Sequence, residues 1–297
     1  MKIALYSRTP DHNGIQFITQ VIHFLHQENV EVWLFENLKK DIPSSELDDI
    51  QGVFSNSQQL TKQSVNFLFS IGGDGTFIDA AKLIADSQIP ILGINTGRIG
   101  FLTGINKTNF QESFYGLQKG EYTIDNRALL HVDADSDLQF PSSFALNDVS
   151  IHPYSEDSIL AIHVWANGEK VNTYWSDGLI VSTATGSTAY SLSCGGPILT
   201  PDTDVIVLTP IASHSLTVRP IVLPSCSEIK IQVESRNHDF ILTIDSQRTP
   251  LKTNITLTIT PEHFTIQSVR LLKTDFYSVI REKLLWGIDK RNICDNE

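Results

Sequence analysis

The 297-residue chain carries 22 Lys plus Arg against 34 Asp plus Glu, a formal net charge of −12, and at roughly 150 residues per domain its length suggests two domains. With 41% hydrophobic and 19% charged residues, the composition supplies packed cores and excludes a disordered chain. The acidic balance argues against a nucleic-acid partner, which needs a dense Lys/Arg face. No apolar run approaches the ~20 residues that span a bilayer, and MKIALYSRTPDHN lacks the apolar core of a signal peptide. Cys194, Cys226 and Cys294 are far apart and form no C-x-x-C pair, which leads us to expect a reducing, cytoplasmic setting with no membrane association.

In chain order, Ile3 to Tyr6 reads as a strand. Ile15, Ile18, Val21, Ile22 and Leu25 then give an amphipathic helix. Val30 to Phe35 is the next strand, and residues 36 to 64 form a polar stretch. Val65 to Ile71 is a buried strand ending in the tight turn Gly72–Gly73–Asp74–Gly75, with Thr76 the expected N-cap of a helix through Phe77, Ala81 and Ile84. Pro90 to Asn95 is a further strand, and Phe110, Phe114 and Leu117 mark a short helix. Strands alternating with helices predict a parallel α/β sheet.

From about residue 125 the texture becomes β-rich. Asn167–Gly168 between Ala161–Ala166 and Glu169–Trp175 predicts a hairpin, because both turn positions need φ > 0. Further strands are expected at Val205–Leu208, Ile229–Glu234, Phe240–Ile244, Ile255–Ile259 and Phe264–Val269. Helical periodicity returns from Asp275, through Ile280, Leu284 and Leu285, with Gly287 the expected stop.

A Gly-rich turn between a strand and a helix suits an anion, since backbone N–H groups and the helix dipole point at it. The unusual element is Asp74 inside that turn, where a carboxylate would repel phosphate unless it served a metal ion or took a proton from a hydroxyl. Phosphoryl transfer to an alcohol makes that demand. The competing reading is a turn whose glycines meet φ > 0 and whose Asp is a local cap. Ser176 to Ser191 clusters small hydroxyl residues around glycine, with Tyr190 near its end. It reads either as a nucleotide-binding segment or as a serine-rich loop with Tyr190 in a core. Asn147–Asp148 can address a ribose or an amide, or simply turn the chain. The nine histidines lack metal-ligand spacing, so no metal with direct protein ligands is expected. There is no G-x-x-x-x-G-K-[ST] and no G-x-S-x-G, which removes P-loop kinases and serine hydrolases of the elbow type.

In order along the chain, GGDGT at 72–76, NTGRIGFLT at 95–103, ALNDVSIH at 145–152, SDGLIVSTATGSTAYSLSCGGPILTP at 176–201, LTPIASHSLTVRPIVLP at 208–224 and IDSQ at 244–247 resemble the NAD kinase family. GGDGT alone is shared with diacylglycerol and sphingosine kinases; the block from Ser176 to Pro201 discriminates. The resemblance implies transfer of the γ-phosphoryl of ATP, with Mg²⁺ as divalent cation, to the 2′-hydroxyl of the adenosine ribose of NAD, giving NADP. It implies that Asp74 is the proton acceptor and that Gly75, Asn147, Asp148, Asp177, Ala184, Thr188, Ala189, Tyr190, Ser191, Leu192, Ser193 and Gln247 contact the dinucleotide. Gly72, Gly73 and Thr76 would face the phosphates. Ala184 and Ser213 stand where the family commonly has Pro, Trp175 where a basic residue is often found, and Asp79 where one is frequent. Lys82 and Arg98 are the substitutes proposed for the missing charge.

The implied fold is a Rossmann-like α/β domain at 1–124, completed by the tail 271–297, and a β-sandwich-like domain at 125–270. The resemblance also implies a homo-oligomer, dimer or tetramer. Two other readings remain at this point: a lipid kinase sharing the GGDGT turn, and a dinucleotide sensor that keeps the pocket without the chemistry.

Overall fold

The computed structural model describes residues 1–97, 100–135, 140, 142–155, 159–272 and 275–286. Arg98, Gly287 and Cys294, each singled out above, lie outside the described residues. The chain divides into two compact units, Met1–Asp125 with the segment from Gln267, and Asn126–Ile266.

In the first unit the order is β1 (Lys2–Tyr6), α1 (His12–Gln27), β2 (Glu31–Phe35), α2 (Ser44–Leu47), β3 (Gly52–Phe54), α3 (Ser57–Lys62), β4 (Phe67–Ile71), α4 (Asp74–Ile84), β5 (Ile91–Asn95), β6 (Ile105–Asn106), α5 (Phe110–Gln118) and β7 (Tyr122–Arg127). The second unit holds β8 (Leu130–Ala134), β9 (Phe144–Ala145), β10 (Asp148–Pro153), β11 (Leu160–Ala166), β12 (Glu169–Ser176), β13 (Gly178–Thr183), α6 (Tyr190–Ser193), β14 (Val205–Ile211), β15 (Ile221–Pro224), β16 (Ile229–Glu234), β17 (Asp239–Ile244), β18 (Gln247–Lys252) and β19 (Thr256–Pro261). β20 (Ile266–Leu271) and α7 (Phe276–Leu284) follow.

The first sheet runs β3-β2-β1-β4-β5-β20-β7, with β6 on β5, and β3, β2, β1, β4 and β5 pair in parallel. This is the Rossmann-like α/β architecture. β1 continues through α1 to β2 on one side and β4 continues through α4 to β5 on the other, so the carboxyl ends of β1 and β4 flank the point where the winding reverses. Ligands bind at such a point in open α/β sheets. Helix α1 is capped by the Asp11 side chain, which accepts from Gly14 N–H, and buries Phe17, Ile18, Val21, Ile22 and Leu25 at helical spacing. Phe110, Phe114 and Leu117 of α5 join the same core.

The polar stretch 36–64 contains more order than its composition suggests. β3 is three residues long and pairs with β2 at the end of the sheet order, and α3 offers one buried residue, Leu60, too few apolar positions to show a period. Thr76 is not the N-cap of α4: Gly73 occupies that position and Asp74 opens the helix. Thr76 N–H already donates to the Gly73 carbonyl at 3.0 Å, which places Thr76 inside the first turn. Gly72 has φ +157, and the Thr76 hydroxyl occupies the space a Cβ at Gly72 would need.

The second unit packs two six-stranded sheets, β15-β14-β13-β10-β17-β18 and β12-β11-β16-β19-β8-β9, around a shared core that includes Val149, Ile151, Leu179, Val181, Ile231 and Leu257. Their observed pairings are antiparallel, giving the β-sandwich of the expected fold class. The Asn167–Gly168 hairpin forms with φ +51 and +83. The Ser176–Ser191 segment is not a loop throughout, because residues 178–183 are the wholly buried strand β13.

β20 was expected among the β-rich strands, yet it pairs in parallel with β5 of the first sheet, so the chain returns to the first unit at Gln267, earlier than residue 271. Helix α7 is capped by Asp275 and ends at Leu285 in left-handed conformation, ahead of Gly287.

Candidate active site

The turn after β4 places Gly73 and Gly75 in solvent and Asp74 at partial exposure, on the first residue of α4. The Asp74 carboxylate is held by the chain that follows β5. Its Oδ2 accepts Phe101 N–H at 2.8 Å, and its Oδ1 accepts Leu102 N–H at 3.1 Å and the Thr103 hydroxyl at 3.2 Å. Gly100 permits this approach, since a Cβ there would collide with Asp74 Oδ1. Lys283 of α7 lies over the Phe101 ring, 5.7 Å from its centroid.

Arg8, just past the end of β1, pairs with Asp79 on α4 at 3.2 Å. In a helix the side chain of residue 79 leans back toward residue 75, so this pair brings a guanidinium toward the Gly-rich turn. Burial, then the charge of Asp79, push the Tyr6 phenol up to about 12, with Arg8 opposing. Lys82 sits in the last turn of α4, eight residues and about 12 Å along the axis from Asp74.

In the second unit a second aspartate clasps a turn. Asp245 accepts N–H groups of Leu146 (3.2 Å), Asn147 (2.8 Å) and Asp148 (3.3 Å), with its own backbone at φ +51. From the other side Thr183 N–H donates to Asn147 O at 2.9 Å, and the Thr183 hydroxyl donates to Leu146 O at 2.7 Å. Gly186 lies against the Asn147 carbonyl so closely that a Cβ would not fit.

Strand alternation puts Asp148, Ser150 and His152 on one face of β10, with Val149 and Ile151 in the core. His152 Nε2 is 2.9 Å from Ser150 Oγ, and its ring stacks on Tyr190 at 5.8 Å and 22°. Burial, and secondly the charge of Arg248, hold the His152 imidazole below its usual range. Burial, with Cys194 and Asp148 nearby, raises the Tyr190 phenol, which keeps its proton.

Profiles of the ATP-NAD kinase N-terminal and C-terminal domains match residues 9–122 and 146–271. The NAD kinase of Flavobacterium psychrophilum is 39% identical over 98% of this chain and 100% of its own length. The chain belongs to the NAD kinase family. The NAD kinase of Cytophaga hutchinsonii is 36% identical over the same shares of both chains. Among solved structures, an NAD kinase from Archaeoglobus fulgidus in complex with ATP gives a TM-score of 0.72 at 25% identity, over 96% of this chain and 99% of that one. Yeast NADH kinase complexed with NADH shares the fold, with a TM-score of 0.84 at 23% identity over 97% and 89%.

The NAD kinase motifs thus gather around two clasped turns. Asp74, Gly72, Gly73, Gly75 and Thr76 form the first. Asn147, Asp148, Ala184 and Gln247 lie on or beside the second, and Gln247 Oε1 is buried without a hydrogen-bond partner among the described residues. Thr188, Ala189, Tyr190, Leu192 and Ser193 are partly or well exposed on the turn into and along α6. Ser191, by contrast, is buried and bonded to Thr209 Oγ1 at 2.8 Å, so its hydroxyl serves the interior. Asp177 is exposed, 3.8 Å from His214. Sequence reading missed Arg8, Thr103 and Asp245 as site residues. The motif strings contained the last two, but nothing in a string shows which residue reaches back to another turn.

Proposed function

We propose that this chain is an NAD kinase, transferring the γ-phosphoryl of ATP to the 2′-hydroxyl of the adenosine ribose of NAD to yield NADP and ADP. Full-length identity to NAD kinases supports the reaction, and the archaeal NAD kinase solved with ATP supports the donor. The observation that carries the mechanism is Asp74, a partly exposed carboxylate fixed by two backbone N–H groups and a hydroxyl at the head of a helix.

Asp74 orients the 2′-hydroxyl and takes its proton as the oxygen attacks phosphorus. The N–H groups at the start of α4 and the exposed glycines let phosphate approach closely. Among the described residues, Arg8 is better placed than Lys82 to supply positive charge beside the turn. In the second unit, Asn147, Asp148, Asp177, Ala184, Thr188, Ala189, Tyr190, Leu192, Ser193 and Gln247 make up the dinucleotide surface, with Ser191 supporting it from the interior. Tyr190 offers a ring for adenine, and the unpaired Gln247 Oε1 offers an acceptor for an amide or amino group.

The family implies Mg²⁺. At the turn we infer a cation carried mainly by the nucleotide's own oxygens and water, as that small hard ion prefers; the group His23, Glu46 and Asp49 found among the described residues is borne by α1 and by the segment at and just after α2. When bound, that cation would neutralise phosphate charge. The working form we propose is a cytoplasmic homo-oligomer, dimer or tetramer, with exposed Trp175, Leu216, Ile221 and Val222 as apolar surface of the kind subunits bury. No helix among the described residues is long and apolar enough to cross a membrane.

The test is NADP formation from NAD, ATP and Mg²⁺ beside a control without NAD. Asp74→Asn is expected to keep the wild-type melting transition and lose about 10²- to 10⁴-fold in kcat, the range of general-base contributions. Binding of NAD with no NADP formed by the wild-type protein would establish the sensor reading instead.

A further inference from the structure

The fold treats the two oxygens of Asp74 differently. Oδ1 accepts two donors, Leu102 N–H and the Thr103 hydroxyl, whereas Oδ2 accepts one among the described residues, Phe101 N–H. The direction of the Thr103 bond is fixed by what surrounds it. Thr103 Oγ1 lies 2.9 Å from Asn95 Nδ2 and 3.0 Å from Gly100 N. Both are donors, and they occupy the two lone pairs of the hydroxyl. The Asn95 amide is itself oriented, because its Oδ1 accepts Gly97 N–H at 2.6 Å. The single Thr103 proton therefore points to Asp74 Oδ1. Thr103 is fully buried and Asn95 nearly so, which keeps water from substituting for either.

We propose that Thr103, oriented by Asn95 and Gly100, is a positioning residue that saturates Asp74 Oδ1 and leaves Oδ2 as the oxygen that receives the substrate's proton. This rests on the reading of Asp74 as the base. In the step, the hydroxyl O–H bond breaks and its proton passes to Oδ2. A new O–P bond forms to the γ-phosphorus, and the bond to the bridging oxygen breaks with its electron pair leaving on ADP. A carboxylate held by one oxygen alone could rotate and present either face. Holding Oδ1 at two donors fixes both the plane of the group and the oxygen it presents, the kind of orientation on which rate depends steeply. The charged groups on adjoining elements are Asp79, paired with Arg8, Lys82 farther along α4, and Lys283 over Phe101.

Thr103→Val removes the hydroxyl at nearly constant volume, and Thr103→Ser restores it. The valine variant is expected to lose roughly 10-fold or more in kcat, as misplacement of a reacting group does, while KM for NAD and for ATP stays near wild type. The acidic limb of its kcat–pH profile should move upward, because a carboxylate that loses a donor is more easily protonated. Serine should return both readouts toward wild type. An unchanged kcat and limb in Thr103→Val, or a loss that serine does not restore, would overturn the proposal. If the valine variant has no melting transition, Thr103→Cys, with its weaker donor, carries the test: a limb displaced part of the way supports the proposal and a wild-type limb overturns it. Asp74→Asn run in parallel separates the two levels. Near-normal turnover in that variant removes the base itself, whereas an inactive Asp74→Asn beside a wild-type-like Thr103→Val removes only the role of Thr103.

Discussion

Asp74 and Asp245 use the same chemistry for different ends. Each carboxylate gathers backbone N–H groups of a distant segment, Phe101 and Leu102 for the first and Leu146, Asn147 and Asp148 for the second. The difference lies in what surrounds them. Asp74 opens a helix between two exposed glycines and keeps an oxygen with a single donor among the described residues. Asp245 sits in a left-handed turn between antiparallel strands β17 and β18, and its amides belong to the segment carrying Asn147 and Asp148. In the proposed mechanism one clasp aims its own carboxylate at a reactant, and the other supports the segment that carries Asn147 and Asp148. Removing the first should therefore cost rate, and removing the second should cost stability.

The sharpest way to break that contrast is Gly100→Ala. A Cβ at this position would collide with Asp74 Oδ1, so the 100–103 segment or the carboxylate must move. A displacement of about 1 Å at a reacting group can cost 10²-fold, and a loss of that size in kcat is expected with NAD affinity retained. If steady-state assays showed wild-type kcat, the clasp would not be setting the geometry of the base.

Asp245→Ala tests the other side. It strands three N–H groups, two of them on the buried residues Leu146 and Asp148, and a buried donor left unpaired costs about 1–3 kcal/mol. A fall of roughly 5–10 °C in the melting midpoint is expected. Asp245→Asn should recover much of it, because Asn tolerates the left-handed conformation and keeps a carbonyl acceptor. A kcat lost with no change in melting would erase the distinction between the two aspartates.

The sequence made one of these clasps half legible. Period and turn chemistry found β1, α1, β4, α5 and the Asn167–Gly168 hairpin, since each carries its own apolar stripe or a paired demand for φ > 0. They could not find β3 or β15, short strands whose pairing comes from a neighbour. They could not place β20 either, because an apolar run reads the same in either sheet. In the site, Asp74 was visible as a carboxylate out of place in a glycine turn of the kind that suits an anion. Asp245 and Thr103 were not, because a side chain that serves by reaching 97 to 99 residues back, or 29, leaves no local signature. Ser191 differs in the opposite sense: the resemblance implied contact with the dinucleotide, whereas packing against Thr209 turns its hydroxyl inward.

A smaller effect sharpens the first side. Arg8 is paired with Asp79 and 58% exposed at its side chain, so its attraction to a triphosphate is partly screened. Arg8→Gln is expected to raise KM for ATP several-fold, in keeping with a contribution of about 1 kcal/mol, with KM for NAD and kcat little changed. Equal KM values in initial-rate measurements would leave the phosphates to backbone N–H groups alone.

The smallest effect concerns His152, on the same face of β10 as Asp148. Burial and the Arg248 charge lower its pKa, so the folded protein resists protonating this ring, whereas the unfolded chain takes up a proton near pH 6.5. The unfolded state then binds more protons as the solution is acidified. The stability held by the neutral ring is present above that value and is lost as pH falls through the lowered folded pKa. His152→Phe keeps an aromatic partner for Tyr190 but cannot titrate, so its melting midpoint should decline less than that of the wild type between pH 7.5 and 5.5. The kcat–pH profile should stay that of the wild type, since the proposed base lies in the other unit. Parallel melting curves for the two proteins would show that His152 does not couple protons to folding. A displaced kcat limb would show that the second turn reaches the proton transfer, which is the one result that would merge the roles assigned to the two clasps.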